Sequence, residues 1–330
     1  MNFLNEITGF FGALGNSVPI GTSEGLYWAV LALGLYISYR LLDFADLTCE
    51  GSLTLGASMA ALTIYKGGNA FLAVLFAFCA GALAGTVTGL LHTKLKIPSI
   101  LAGILTMTSL YSINIRVMSA ASGSNGTSNL SLLNFSDKTL YNFLKSLTGM
   151  NKKATALVFG AVFVIAIIVI MYWFFGTEIG CAIRATGNNE KMCRAQGINT
   201  DNMKILGLAL ANGLIAVSGA LNCQYNNSAD AQMGVGSIVI GLASIIIGEA
   251  IFGRINHFFF RLVGVAVGAV IYRIVYAFIF NYNRLNNIIW SSDVKLMTAI
   301  VVIVALVIIS SKGKKVKKQK NQTAEGEKNG

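Results

Sequence analysis

Charged residues are scarce in this chain: they make up 12% of its 330 residues, and there are only two prolines. A soluble domain carries roughly 25% charge, so half that share excludes an ordinary water-facing surface and points to lipid as the solvent. Histidine is as rare. Neither of the two copies, His92 and His257, belongs to an H-E-x-x-H pair, and both read as flanking residues near an interface. The five cysteines (Cys49, Cys79, Cys181, Cys193, Cys223) are odd in number and scattered, with no C-x-x-C. They read as small apolar fillers, not as a disulfide or zinc framework, and no metal site is expected. No G-x-x-x-x-G-K-[ST] phosphate loop occurs, so the chain cannot hydrolyse ATP by that route. A G-x-S-x-G elbow and a paired-carboxylate constellation are missing too, which argues against a membrane enzyme. The first residues show no basic leader and no small-residue cleavage site, so no cleaved signal peptide is expected.

What the chain does have is long apolar runs. "ALVFGAVFVIAIIVIMYWFF" (156–175) and "LMTAIVVIVALVIIS" (296–310) carry no charge. A helix of about 20 residues crosses a hydrocarbon core of ~30 Å. The fold expected is all-α and polytopic, with about nine spans near 23–41, 47–65, 70–92, 98–117, 155–176, 204–224, 234–252, 257–280 and 294–310. Residues 1–22 read as an N-terminal segment lying at the interface, and 311–330 as a disordered basic tail. The net charge of +11 owes much to six lysines in that tail, "KGKKVKKQK". Cations beside a last span mark the cytoplasmic side, and no nucleic-acid motif accompanies them. Alternation from the tail puts Arg40, Lys94, Lys96, Arg254 and the 177–202 loop inside. It puts 119–154 and the N-terminus outside.

Two stretches repeat a pattern. "ADLTCEGSLTLGAS" (45–58) and "ADAQMGVGSIVIGLAS" (229–244) each run from Ala-Asp to Gly-Ser, then to Gly and Ala-Ser. A G-x-x-x-G follows each, at Gly81/Gly85 and at Gly264/Gly268, where packing of small residues is the plainer role. The charge bias makes the two copies inverted, and inverted repeats with glycine-interrupted segments mark the pathway of many transporters. Gly51, Ser52 and Gly56 are expected to break the second span, which opens with Asp46, Thr48 and Glu50. A carboxylate at the bilayer centre costs at least ~2.5–3.5 kcal/mol, so Asp46 and Glu50 must sit at an interface or in a paired interior. Candidate pathway groups are Asp46, Thr48, Gly51, Ser52, Gly56, Asn212, Asn222, Gln224, Asp230, Gly236 and Ser237.

Between two apolar spans lies "GTEIGCAIRATGNNEKMCRAQGIN" (176–199), the longest inward loop before the tail. Asn188 suits an N-cap, Glu190 the positive first turn and Gly197 the C′ position, giving a helix near 189–196. Met192, Ala195 and Gln196 share one face, with Ile198 just beyond and Arg184, Lys191 and Arg194 flanking. Such a knob suits a groove on a cytoplasmic partner, or it lies flat on the membrane; the pattern alone leaves both open.

"RATGNNEKMCRAQGIN", followed by "ILGLALANGLIAVSGAL", resembles the cytoplasmic coupling segment of ABC-importer permeases of the branched-chain amino acid and ribose class. That family shows a G-x-N…G-I-N spacing, carried here by Gly187, Asn189, Gly197, Ile198 and Asn199. "DLTCEG" resembles its D-L-[ST]-x-x-G signature, and "SIVIGLASIIIGEAIFG" its later small-residue span. The likeness covers roughly residues 24–310. "RLLDFADLTCEGSLTLGASMAA" and "KIPSILAGILTMTSLYSIN" look most like permeases that work with tryptophan- or tyrosine-type binding proteins. One departure is Gly248-Glu249, where ribose-type members carry Gly-Gly.

The resemblance implies a homodimer, or a pair of similar permeases, in a bacterial plasma membrane. It implies cytoplasmic ATPase subunits that use ATP and magnesium, and an extracytoplasmic binding lipoprotein. No cofactor is expected in this chain. An amino acid is the expected substrate, with a sugar or nucleoside as the alternative. An ion-coupled carrier is the other reading, although Glu249 and Arg273 are the only ionisable groups it could use deep in the membrane.

Overall fold

At membrane depth every backbone N–H and C=O must be satisfied within its own segment, so apolar runs of this length fold as helices. The computed structural model describes residues 2–149, 151–252, 257–286 and 300. Helix α1 (Asn2–Leu35) passes through Pro19 and continues into a π-helical turn at Tyr36–Leu41. The backbone leaves helical geometry over 42–47, where Asp43 takes a φ of 51°. It re-enters helix as α2 (Thr48–Tyr65), followed by α3 (Ala70–Thr93) and α4 (Ser99–Ser122). A strand β1 (Asn129–Ser131), a 3-10 turn and α5 (Leu140–Thr148) lead to α6 (Lys152–Gly176). Two short helices, α7 (Glu178–Asn188) and α8 (Glu190–Ala195), precede the long α9 (Thr200–Asn226). Strand β2 (Ser228–Asp230) pairs antiparallel with β1, Leu130 opposite Ala229. Helices α10 (Ser237–Phe252) and α11 (Phe258–Asn286) complete the described chain.

Among the described residues, six helices are long and apolar enough to cross a membrane. Helices α2 and α10 fill two further expected spans; α10, at 16 residues, is short of the ~20 needed to cross. Apart from residue 300, the ninth expected span, 294–310, lies outside the described residues, as do Arg254 and the 311–330 tail. The segment before residue 23 is not a separate element, because α1 runs through it without a break.

Helices α1 and α9 form the buried axis. Their spanning stretches are 78% and 72% buried, against 33% for α3 and 28% for α4, whose outer faces carry apolar side chains such as Phe76, Leu83, Ile104 and Ile113. Contacts along α9 set the directions. α1 runs against it, with Gly34 beside Ala211, Tyr27 beside Ser218 and Ser23 beside Tyr225. α2 runs with it, with Ser52 beside Asn212 and Gly56 beside Ala216. α10 follows α1, Gly241 against Leu35 and Glu249 against Arg40. Helices α2 and α10, which carry the two repeat copies, therefore run in opposite directions.

One expectation fails. Gly51, Ser52 and Gly56 do not interrupt the second span; all three lie inside the unbroken α2. The break comes earlier, at 42–47. The glycines serve close packing, since a Cβ on Gly56 would overlap the Ala216 carbonyl and one on Gly51 would meet Leu110. Gly81 and Gly85 admit the α9 backbone in the same way, and Gly264 and Gly268 that of α10.

Candidate transport path and coupling segment

The break at 42–47 is held by the polar residues that follow it. Asp46 Oδ1 accepts the backbone N–H of Thr48 at 2.9 Å, and Oδ2 accepts Asn212 Nδ2 at 2.6 Å. Asn212 Oδ1 in turn accepts Ser52 Oγ at 2.7 Å. Thr48 Oγ1 meets Thr88 Oγ1 at 2.8 Å, and Thr88 donates to Thr106 at 3.0 Å. Asp46, Thr48, Ser52 and Asn212 are all 0% exposed. The fold brings these sequence-singled residues together, but as a sealed set of hydrogen bonds joining α2, α3, α4 and α9. Asp46 thus has the paired interior that a carboxyl at this depth requires.

Gly236 and Ser237 stand where α10 begins. Gly236 takes a φ of +84° and donates its N–H to Glu50 Oε1 at 2.9 Å; Gly234 donates to Thr54 Oγ1 at 3.1 Å. Glu50 therefore caps one repeat helix from the first turn of the other, where an anion suits the positive helix end. Ser237 Oγ is buried with no hydrogen-bond partner among the described residues. A cavity of about 200 Å³ opens beside this junction, lined by Glu50, Thr54, Thr108, Tyr111 and Asn114. Asn114 donates to the Gly51 carbonyl at 3.2 Å, while its Oδ1 has no partner among the described residues. Asp230 does not join this group; it sits in the two-stranded β1–β2 ladder, accepting from Gln232 N–H and Asn129 Nδ2. Gln224 ties the start of α5 to α9 by accepting the Leu140 N–H. Thr54, Thr108, Tyr111 and Asn114 were not singled out in the sequence. The i, i+3 spacing of Thr108, Tyr111 and Asn114 in α4 was the only signal, Thr54 in α2 had none, and apolar neighbours masked it.

The polar loop folds as α7 and α8. The N-cap of α8 is Asn189, not Asn188: Asn189 Oδ1 accepts the Met192 N–H at 3.0 Å, while Asn188 ends α7. The reason is conformational. Asn189 is extended (φ −154°), which a cap requires, and Asn188 is still helical. The C-terminal end closes with the Ile198 N–H on the Cys193 carbonyl at 3.0 Å and the Gly197 N–H on Arg194 at 3.1 Å. Gly197 takes the left-handed φ of +83° that this double closure needs. Met192, Ala195 and Gln196 are exposed together, and Cys193 is buried beneath them.

Arg194 and Glu190 face inward to the start of α9. Arg194 reaches Glu190 at 2.9 Å, Asp201 at 2.8 Å and Thr200 Oγ1 at 2.7 Å, and Lys204 Nζ meets Glu190 Oε2 at 2.7 Å. The Lys204 hydrogen bond, helped by the charges of Lys204 and Arg194, holds the Glu190 carboxyl below the usual carboxylate range. Arg184 lies apart. Its guanidinium sits over the Phe258 ring at 5.2 Å, at a cavity shared with Trp173 and His257. Gly187 packs directly on the Leu41 carbonyl, where a Cβ would overlap it, and Leu42 packs on Gly207 and so lies close to Ile183. The short helices thus rest on the point where α1 gives way to the 42–47 break.

Residues 20–310 match the family described as branched-chain amino acid transport system, permease component. The chain belongs to this family. It is a multi-pass membrane permease component of binding-protein-dependent ABC transport. It is similar to the tyrosine transport system permease protein of Clostridioides difficile, 38% identical over 86% of this chain and 88% of the relative. An uncharacterised protein of Rickettsia prowazekii is 33% identical over 74% and 81%, respectively. The ribose import permease protein RbsC of Escherichia coli K12 is 25% identical over 86% and 82%. No solved structure matches the chain.

Proposed function

We propose that this permease forms the membrane path of an ATP-driven importer for an amino acid, aromatic or branched-chain. The α8 knob is its coupling helix. The observation that carries this reading is the construction of 177–202. A two-helix element is capped at both ends, tied by two ion pairs to α9, and seated through Gly187 on the break that leads into α2. A surface loop lying on lipid gains nothing from such bracing, whereas a part that must pass on a push does. In this reading Met192, Ala195 and Gln196 enter a groove on an ATPase subunit. Glu190 and Arg194 stiffen the knob, and Ile198 closes it. ATP and magnesium are handled by that subunit, and this chain holds no cofactor. Two permease chains, alike or paired, enclose the path in a bacterial plasma membrane, with the N-terminus and the β1–β2 ladder outside under a binding lipoprotein. The junction of Glu50 with Gly236 is the part of the path that moves.

The amino-acid assignment draws on the tyrosine-system relative, which is more similar than the ribose permease. Co-expression with the neighbouring ATPase and binding protein, reconstitution into liposomes and uptake of labelled tyrosine test it. ATP-dependent accumulation that is lost in Met192→Asp supports the reading. Accumulation by the chain alone on a proton or sodium gradient overturns it.

A further inference from the structure

Two ionisable groups about two turns inside the ends of the spans 17–41 and 258–281 have no part in the path or the coupling segment: Glu24 on α1 and Arg273 on α11. Arg273 is 8% exposed, and its contact with Glu24 is loose, Nη1 to Oε2 at 3.5 Å. A charge-assisted hydrogen bond of this type normally closes to ~2.7–2.9 Å. The guanidinium lies against the rings of Trp28, 4.1 Å to the centroid, and Tyr276, 5.0 Å. Ring faces take the charge but satisfy no N–H in the guanidinium plane, and Nε is buried without a hydrogen-bond partner among the described residues. A buried guanidinium with an unpaired Nε–H and one loose ion pair is costly unless something completes it. What adjoins it is a cavity of about 360 Å³ between α1, α9 and α11, in the range of small-ligand sites. Asn222 and Asn226 bring amides to one wall, and Tyr276 and Phe280 an apolar surface to another.

We infer that this cavity is a binding site for a zwitterionic α-amino acid with an apolar or aromatic side chain. The Arg273 edge takes the carboxylate in its plane, and Glu24 takes the ammonium group. The planar N–H fork matches a carboxylate in two-point contact, and a ligand carrying both charges relaxes the loose ion pair without leaving either group uncompensated. The inference rests on the amino-acid reading above, and it gives the permease a substrate contact of its own on the side of the β1–β2 ladder.

The test uses the full chain in phosphatidylglycerol nanodiscs, titrated with L-phenylalanine and followed by tryptophan emission, since Trp28 borders the site. Saturable quenching is expected. Both 3-phenylpropionate, which lacks the ammonium, and phenethylamine, which lacks the carboxylate, should bind at least tenfold more weakly. Arg273→Gln should weaken phenylalanine at least tenfold. Glu24→Gln should abolish the discrimination between phenylalanine and phenylpropionate, an outcome that a purely structural ion pair does not produce. The inference is overturned if phenylalanine has no effect, if all three probes bind alike, or if both variants keep the wild-type response. It also fails if phosphatidylethanolamine alone occupies the pair. The assay needs neither ATPase nor binding protein, so failure of the importer reading shows separately, as absent ATP-driven uptake.

Discussion

Replacing Asn212 by Leu tests whether the Asp46–Asn212–Ser52 set holds the break in the chain. The substitution removes the donor to Asp46 Oδ2 and the acceptor of Ser52 Oγ, both inside a region with no solvent access. A hydrogen bond to a carboxylate contributes about 1.5–3 kcal/mol, and a buried hydroxyl left without an acceptor costs about 1–3 kcal/mol. Together these put the loss at roughly 3–5 kcal/mol, a large share of a marginal stability. Asp46→Leu alone should cost a similar amount, because it strands the Thr48 N–H and one Asn212 N–H. The double variant replaces both partners by apolar groups, and its cost should fall short of the sum by about 2 kcal/mol or more. Stability is read by reversible unfolding of the purified chain in mixed micelles with increasing denaturing detergent. Additivity of the two single variants within ~0.5 kcal/mol would refute the network.

Gly187→Val should leave expression intact but displace the Leu41 carbonyl, so uptake by the reconstituted importer should fall at least tenfold while the assembled complex still purifies. Gly197→Ala forces a side chain into left-handed geometry at a cost of roughly 1–2 kcal/mol, which should appear as faster hydrogen exchange confined to α8. Glu190 titrates below its ordinary value of 4.5, so its contribution is present above that value and lost as pH falls through the lower folded-state pKa. Exchange protection of α8, corrected for intrinsic rates, should drop in that acid window. Glu190→Gln should remove the pH dependence, and a drop unchanged in the variant would count against the Lys204 contact as its source.

The runs without charge made the helical class legible, and the glycine and asparagine punctuation at 188–197 made α8 legible to within a residue. The choice between Asn188 and Asn189 was not legible, because both are good caps and only the end of α7 decides which is extended. Gly51 and Gly56 misled for a related reason. A glycine in an apolar helix looks the same whether the chain breaks there or another helix passes close by, and Ala216, far along the chain, settles the matter. Asp46 and Asn212 lie 166 positions apart, so no local pattern could link them. Glu24 and Arg273 were equally hidden from each other, 249 residues apart by their numbers.

The contact between Gly187 and Leu41 is main chain against main chain, with no side chain between them to bend or rotate. Any shift of α7 by a partner reaches the junction undiminished, because stiff peptide planes offer no slack to absorb the first fraction of an ångström. A larger residue there would act as a wedge, holding the break in one posture whatever happens below. In the coupling proposed above, transmission would depend on the smallest side chain in the loop.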